Sequence, residues 1–445
     1  MGRWFPLLLL AACAGSASNE AETGPDPGFV PDLPTASCGD LNYAWRSTGE
    51  VGALLDYERV DDYSLESTQV DALLPLVDMD AFAPVPYSAA VYRIRYTTQE
   101  KGQITEATSL VSFPDVGTGA SMPTLLLLHG TTGFVDACAP SNMTILEASP
   151  AVVTAALGAV AIHPDYPGLM GMGAGAAERH ALLLPEPSVI ASLDAVRAAE
   201  KLLVELGQPV TPDPDRVVFW GLSEGALFAL WAERYGRVYL PQWRPKGIVA
   251  VAPATDLAAL LREAALAFSR QTSVLVAASI GATEWHEESE RLDAVFTAAA
   301  LEDMDAVMNS ECDIPEFTDV ATVEEVFLPE VLGPVQEGQG VEPISCYLEA
   351  AGLVEAQLSA DPAVPILWLG AEEDDLALTV YARQDVEAIC AQGLSVVYEE
   401  CAGFSHEDVL LNTIGRQTEW ALARADGLEL ADPVCVVSPP MDCGG

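Results

Sequence analysis

Six short stretches, Thr124–Leu128, Ala159–Ile162, Val217–Trp220, Gly247–Val251, Val364–Leu369 and Leu394–Tyr398, are apolar almost without interruption. A strand with one wet face alternates polar and apolar residues. A run that is apolar throughout belongs to a strand covered on both faces, as in a parallel sheet between two helical layers. Helical stretches lie between the runs. The clearest is Ser188 to Leu206, where Val189, Leu193, Val196, Leu203 and Leu206 fall on one helical stripe before Gly207. Strands that alternate with helices predict a doubly wound α/β fold, with a mostly parallel sheet and right-handed crossovers. Upstream, Val91–Tyr96 alternates, Lys101-Gly102 turns, and Ile104–Phe113 returns, which predicts an antiparallel hairpin ahead of the parallel part.

Between Val251 and Val364 the chain is far longer than one crossover helix requires. A helical insertion over 258–360 is expected, dividing an α/β core into 38–257 and 361–445. Within it, residues 281–330 hold fifteen Asp or Glu against one basic residue, Arg291. A solvated acidic face accounts for that run. The whole chain carries a net charge of −46 with only three lysines, Lys101, Lys201 and Lys246. Such a surface repels phosphate backbones, which excludes nucleic acid as a partner.

Arg3 followed by the apolar run Trp4–Ala12 reads as an export signal over 1–12, too short to span a bilayer. It ends in Leu10-Ala11-Ala12-Cys13, which is similar to a bacterial lipobox and makes Cys13 a candidate for lipidation. Attachment to the membrane would then run through acyl chains on Cys13. Cleavage after Ala14 is the competing reading and gives a secreted protein. Residues 13–37, rich in Gly, Pro, Ser and acids, are expected to be a flexible tether. Eight further cysteines remain, an even number that suits an oxidising compartment. Short loops favour Cys390–Cys401, Cys435–Cys443 and Cys312–Cys346, leaving Cys38–Cys138. With no Cys-x-x-Cys pair and five scattered histidines, no metal site is expected.

Gly221-Leu222-Ser223-Glu224-Gly225 follows the run Val217–Trp220 and opens the helical stretch Ala226–Tyr235. A G-x-S-x-G at a strand-to-helix turn holds a serine with its hydroxyl exposed, so Ser223 is the candidate nucleophile. A serine needs a base held in one tautomer by a carboxylate, in the chain order Ser, acid, His. His406, just past the run Leu394–Tyr398, is the expected base, whereas His286 falls in the acidic insertion. His129, His163 and His180 precede the serine and are expected to be structural or pocket-lining. The acid should follow Val364–Leu369, where Gly370-Ala-Glu-Glu-Asp374-Asp375 offers four carboxylates. Asp374 is preferred, then Asp375, then Glu373. Two backbone N–H groups must hold the oxyanion. One is that of Glu224, and the other comes from His129-Gly130-Thr131-Thr132-Gly133, with Thr131 preferred over Gly130.

These pieces, together with His163-Pro-Asp-Tyr-Pro-Gly168, Tyr239-Leu-Pro-Gln242 and Val251-Ala-Pro-Ala-Thr-Asp-Leu257, resemble the α/β-hydrolase superfamily. More closely, they resemble the secretory lipases, which include fungal lipases with a helical cap. The likeness spans about residues 80–425. It departs at Glu224-Gly225-Ala226, where glutamine and a further glycine are usual, and in an acid loop longer by about one residue. The resemblance implies hydrolysis of carboxylic esters, small or lipid, through an acyl-enzyme, with the insertion as a cap and no metal or organic cofactor. A peptidase or acyltransferase on the same scaffold, or a non-catalytic surface lipoprotein, are the alternatives.

Overall fold

The computed structural model describes residues 38, 43–46, 49–173, 175–176, 178–353, 360–428, 430 and 435–443. The expected export signal, Cys13 and residues 14–37 lie outside them. Among the described residues ten strands form one sheet: β1 Leu54–Arg59, β2 Ala89–Glu100, β3 Gln103–Pro114, β4 Ala120–Leu128, β5 Val160–Pro164, β6 Val210–Leu222, β7 Pro245–Val251, β8 Ile366–Ala371, β9 Val396–Cys401 and β10 Val436–Val437. Their order is β1-β2-β3-β5-β4-β6-β7-β8-β9-β10. The pairs β1–β2, β2–β3 and β3–β5 are antiparallel, and every pair from β5–β4 to β9–β10 is parallel. The hairpin between β2 and β3 turns at Lys101 and Gly102, with φ 48° and 72°, the two-residue turn whose twist matches the flanking strands.

The uninterrupted apolar runs have a direct cause. Leu125, Leu127, Val218, Trp220, Val249, Val251, Leu367 and Leu369 pack with Trp420 and Ala421 of helix Ile414–Ala425 on one face. Leu126, Leu128, Phe219, Ile248, Ala250, Ile366 and Trp368 pack with helices Pro185–Glu205 and Glu224–Tyr239 on the other. Neither face of these strands meets water, and each such side chain contributes roughly 1.5–3 kcal/mol relative to an exposed one.

Between β7 and β8 the chain leaves the sheet and forms helices Leu257–Leu266, Arg270–Trp285, Ala298–Met308, Val323–Val326, Pro329–Gln336 and Ile344–Ala351. Of the fifteen acids in 281–330, twelve are exposed, Glu284 and Glu288 are half-buried, and Asp303 is buried. The exception is satisfied locally. Its carboxylate accepts hydrogen bonds from the Thr318 hydroxyl and from the N–H groups of Thr318, Asp319 and Val320. Burial works against its charged form, but those donors hold its pKa below the usual carboxylate value.

All four expected disulfide pairings are wrong. The bridges are Cys38–Cys346, Cys138–Cys312, Cys390–Cys435 and Cys401–Cys443, with Cα separations of 5.7, 5.1, 5.6 and 5.2 Å. Loop length misled because strand direction decides. Cys390 lies in the last turn of helix Thr379–Ala391, before β9 starts, and Cys401 ends β9. The five steps of β9, at about 3.3 Å each, carry the chain about 17 Å along the strand, well beyond the reach of a disulfide. The C-terminal segment instead runs parallel to β9, pairing Val436 with Val397 and Met441 with Cys401, so each cysteine finds its partner across the sheet edge. Cys138–Cys312 and Cys38–Cys346 tie the β7–β8 insertion to segments that precede it by 174 and 308 residues.

Candidate active site

β6 runs up the middle of the sheet between β4 and β7, and its last residue, Leu222, is followed by Ser223 at the cap of helix Glu224–Tyr239. Ser223 has φ 53° and ψ −116°, a conformation that costs a non-glycine residue about 1–3 kcal/mol. The surrounding contacts enforce it. A Cβ on Gly221 would lie 1.9 Å from the Gly225 carbonyl oxygen, and one on Gly225 would lie 2.1 Å from that of Leu128. Only glycine at both places lets the helix start this close to the sheet, and the Ser223 N–H is tied to the Val251 carbonyl at 2.8 Å.

His406 is the first residue of helix His406–Asn412. A reciprocal cap sets that helix start: the Ser405 hydroxyl accepts from the Asp408 N–H, and the Asp408 carboxylate accepts from the Ser405 N–H. The His406 Nε2 lies 2.8 Å from Ser223 Oγ, and its Nδ1 lies 3.0 and 2.9 Å from the two oxygens of Asp374. The Asp374 and His406 side chains are each 1% exposed. Asp374 Oδ1 also accepts from the N–H groups of Leu376 and Ala377, at 2.9 and 2.7 Å, which fixes the carboxylate. The other acids of that loop turn away. Glu372 accepts from the Gly403 N–H, Glu373 is exposed, and exposed Asp375 faces Arg270 at 3.3 Å.

The four remaining histidines are buried and stand apart from this line. Burial lowers His129 well below the usual imidazole range and brings His163 and His286 down to about 4. His129 Nδ1 donates to the Gly130 carbonyl and its ring stacks on Tyr166, while His286 stacks on Tyr347. His180 is different: its Nε2 lies 2.9 Å from Glu224 Oε1. From sequence Glu224 is expected to act only through its backbone, since nothing local joins its side chain to a residue 44 positions away.

Ser223, His406, Thr131 and Glu224 line a cleft at the C-terminal edge of the sheet, of about 720 Å³ with its open mouth included. Gly130 does not line it, but a Cβ there would sit 3.5 Å from that of Ser223. Glu224 is the first residue of its helix, so its N–H has no acceptor within the helix. Leu260, Val274 and Ile314 of the insertion, with Leu257 just before it, supply an apolar wall. Farther along stand Asp256, Glu263 and Asp385. Burial raises Asp385 to about 7, opposed by a hydrogen bond from Thr255 and assisted by the charge of Asp256.

The secretory lipase family profile matches residues 143–432, from just before helix Ile145–Ala156 through helix Ile414–Ala425, with Ser223, Asp374 and His406 inside. The chain belongs to the secretory lipase family. Membership places it among hydrolases that act on esters. Among solved structures, a Legionella pneumophila protein superposes with a TM-score of 0.71 at 17% identity, covering 85% of this chain and 99% of its own. The rice cell wall degrading esterase of Xanthomonas oryzae gives 0.64 at 16%, covering 85% and 97%. Candida antarctica lipase A gives 0.65 at 15%, covering 89% and 86%. These likenesses identify the α/β-hydrolase fold. No curated protein sequence matches the chain significantly.

Proposed function

We propose that the protein is an exported serine hydrolase that cleaves carboxylic esters through Ser223, His406 and Asp374. The observation that supports this most directly is the unbroken line of hydrogen-bond distances, Ser223 Oγ to His406 Nε2 at 2.8 Å and His406 Nδ1 to Asp374 at 2.9 Å, beginning at a strained serine. Asp374 keeps the proton on Nδ1, leaving the Nε2 lone pair for the Ser223 hydroxyl. His406 takes that proton as the serine attacks the ester carbonyl. The oxyanion is met by the N–H groups of Glu224 and Thr131, and His406 then protonates the leaving alcohol. Water repeats the sequence in reverse to release the acid. The insertion 258–360 serves as the cap, its apolar wall receiving the acyl chain and excluding water.

Four disulfides accord with folding outside the cytoplasm, and among the described residues no helix is long and apolar enough to cross a membrane. Attachment through acylated Cys13 completes this reading. A second reading, hydrolysis of aminoacyl substrates, is favoured by Asp256, Glu263 and Asp385 in the same cleft, where they could meet a substrate ammonium. One assay separates the two: p-nitrophenyl esters of increasing acyl length beside an aminoacyl anilide, on protein lacking residues 1–13. Ester turnover should dominate and fall by about 10⁴-fold or more in Ser223→Ala. Retention of a tenth of the activity, contaminants excluded, defeats the serine mechanism.

A further inference from the structure

The carboxylate of Glu224, 1% exposed, gathers donors from three separate places. The Thr131 hydroxyl, on the loop after β4, reaches Oε2 at 3.2 Å. His180 Nε2 and the Leu183 N–H reach Oε1 at 2.9 and 2.8 Å. The His180 ring is held at its other end too, with Nδ1 3.3 Å from the Pro167 carbonyl. Leu183 has φ 57°, a conformation a leucine keeps only when its surroundings impose it. Leu182, Leu183 and Thr131 all line the cleft, so the Thr131 and Leu183 contacts of this net end on walls of the site, while His180 stands behind them.

Position in the chain gives the net its consequence. Glu224 follows the nucleophile and begins the helix, so its backbone is as rigid as the elbow itself, and the helix dipole favours a carboxylate in the first turn. The residue whose N–H is proposed to meet the oxyanion therefore also grips the opposite loop with its side chain. We propose that Glu224 is a positioning residue. Its carboxylate locks the Thr131 loop and the Leu182–Leu183 wall onto the start of the nucleophile helix, and so fixes the spacing between the two oxyanion donors. The catalytic part of this rests on the serine-hydrolase reading; the locking itself does not.

Alanine at 224 would leave three inward-facing donors without an acceptor. Glutamine would keep an oxygen for His180 and Leu183 and turn its NH₂ to Thr131, whose hydroxyl can accept. The two substitutions should therefore part. In Glu224→Ala, amide hydrogen exchange of Leu183 and of residues 130–133 should quicken at least tenfold while the sheet amides stay protected. kcat should fall roughly 10- to 100-fold with KM within about threefold, since displaced oxyanion donors act on the transition state and not on ground-state binding. Glu224→Gln should restore both readouts to within about threefold of wild type. Thr131→Val should lose part of kcat, and adding it to Glu224→Ala should cost little more, because the shared contact is already gone. Unchanged exchange at Leu183 and 130–133 in a folded Glu224→Ala protein overturns the lock whatever the activity. If Glu224→Ala does not fold, unchanged exchange of residues 130–133 in Thr131→Val overturns it instead. Changed exchange with wild-type kcat overturns the catalytic part alone. Absence of Ser223-dependent turnover in the wild type strikes the hydrolase reading, and exchange still decides the lock.

Discussion

Replacing Asp374 by asparagine changes one atom in the site, and the geometry dictates where that atom goes. Asp374 Oδ1 is approached by two N–H donors, those of Leu376 and Ala377, so the amide oxygen must occupy that place and the NH₂ group the other. The NH₂ then sits where Oδ2 was, 2.9 Å from His406 Nδ1. Two N–H groups cannot face each other there, and the amide oxygen, 3.0 Å from Nδ1, already accepts from Leu376 and Ala377, so Nδ1 gives up its proton and becomes the acceptor. The imidazole proton moves to Nε2, 2.8 Å from Ser223 Oγ, and the base is lost while the site keeps its shape. A wrong tautomer of this kind costs about 10⁴-fold in kcat, or about 5.4 kcal/mol at 1.36 kcal/mol per decade. Asp375→Asn is the matched control. Its side chain is 53% exposed and its partner Arg270 also reaches Glu316 and Glu407, so kcat should stay within about threefold. Steady-state hydrolysis of p-nitrophenyl butyrate, with circular dichroism to verify folding, reads both. If Asp374→Asn keeps more than a tenth of wild-type kcat, or Asp375→Asn is the worse variant, the tautomer argument fails.

Two more outcomes are expected. Asp385 has its pKa raised to about 7 by burial against about 3.9 in an unfolded chain, so the native state holds a proton that the unfolded state has lost between those values. Its contribution to stability therefore falls as pH rises through that window. Asp385→Asn should raise the melting temperature at pH 8 by several degrees and give no gain near pH 4, and a gain independent of pH would contradict the assignment. For the N-terminus, the protein expressed in a bacterium should incorporate labelled palmitate and partition with membranes, and Cys13→Ser should do neither. A mature N-terminus at Gly15 would exclude the anchor.

Much of the fold was legible because burial on both faces leaves a one-dimensional trace. Val217–Trp220 and Gly247–Val251 are apolar at every position since each lies between two helical layers, and a short turn after such a run has few places to put Ser223. The order of Ser223, Asp374 and His406 was likewise readable, since each candidate stands just past a buried run. Choosing Asp374 over Asp375 was a narrower matter. One residue of shift along a turn decides which carboxylate enters the interior and which meets Arg270, and only the backbone path past Ala371 settles that. The cysteine pairs were out of reach for a related reason. Spacing measures contour length, but Cys390 lies before β9 and Cys401 at its far end, and the C-terminal segment that returns beside it contributes a strand of only two residues, Val436–Val437. The Glu224 net shows the same limit most clearly. Sequence placed a glutamate next to Ser223 and a histidine at 180, and only packing of the Thr131 loop, the Leu183 turn and the helix start into one buried corner turns an acidic side chain into the acceptor that joins them. What depends on local period and burial is written along the chain; what depends on which distant groups share a buried corner is decided by the tertiary structure, because an unpaired donor there is costly and the partner that satisfies it can come from anywhere.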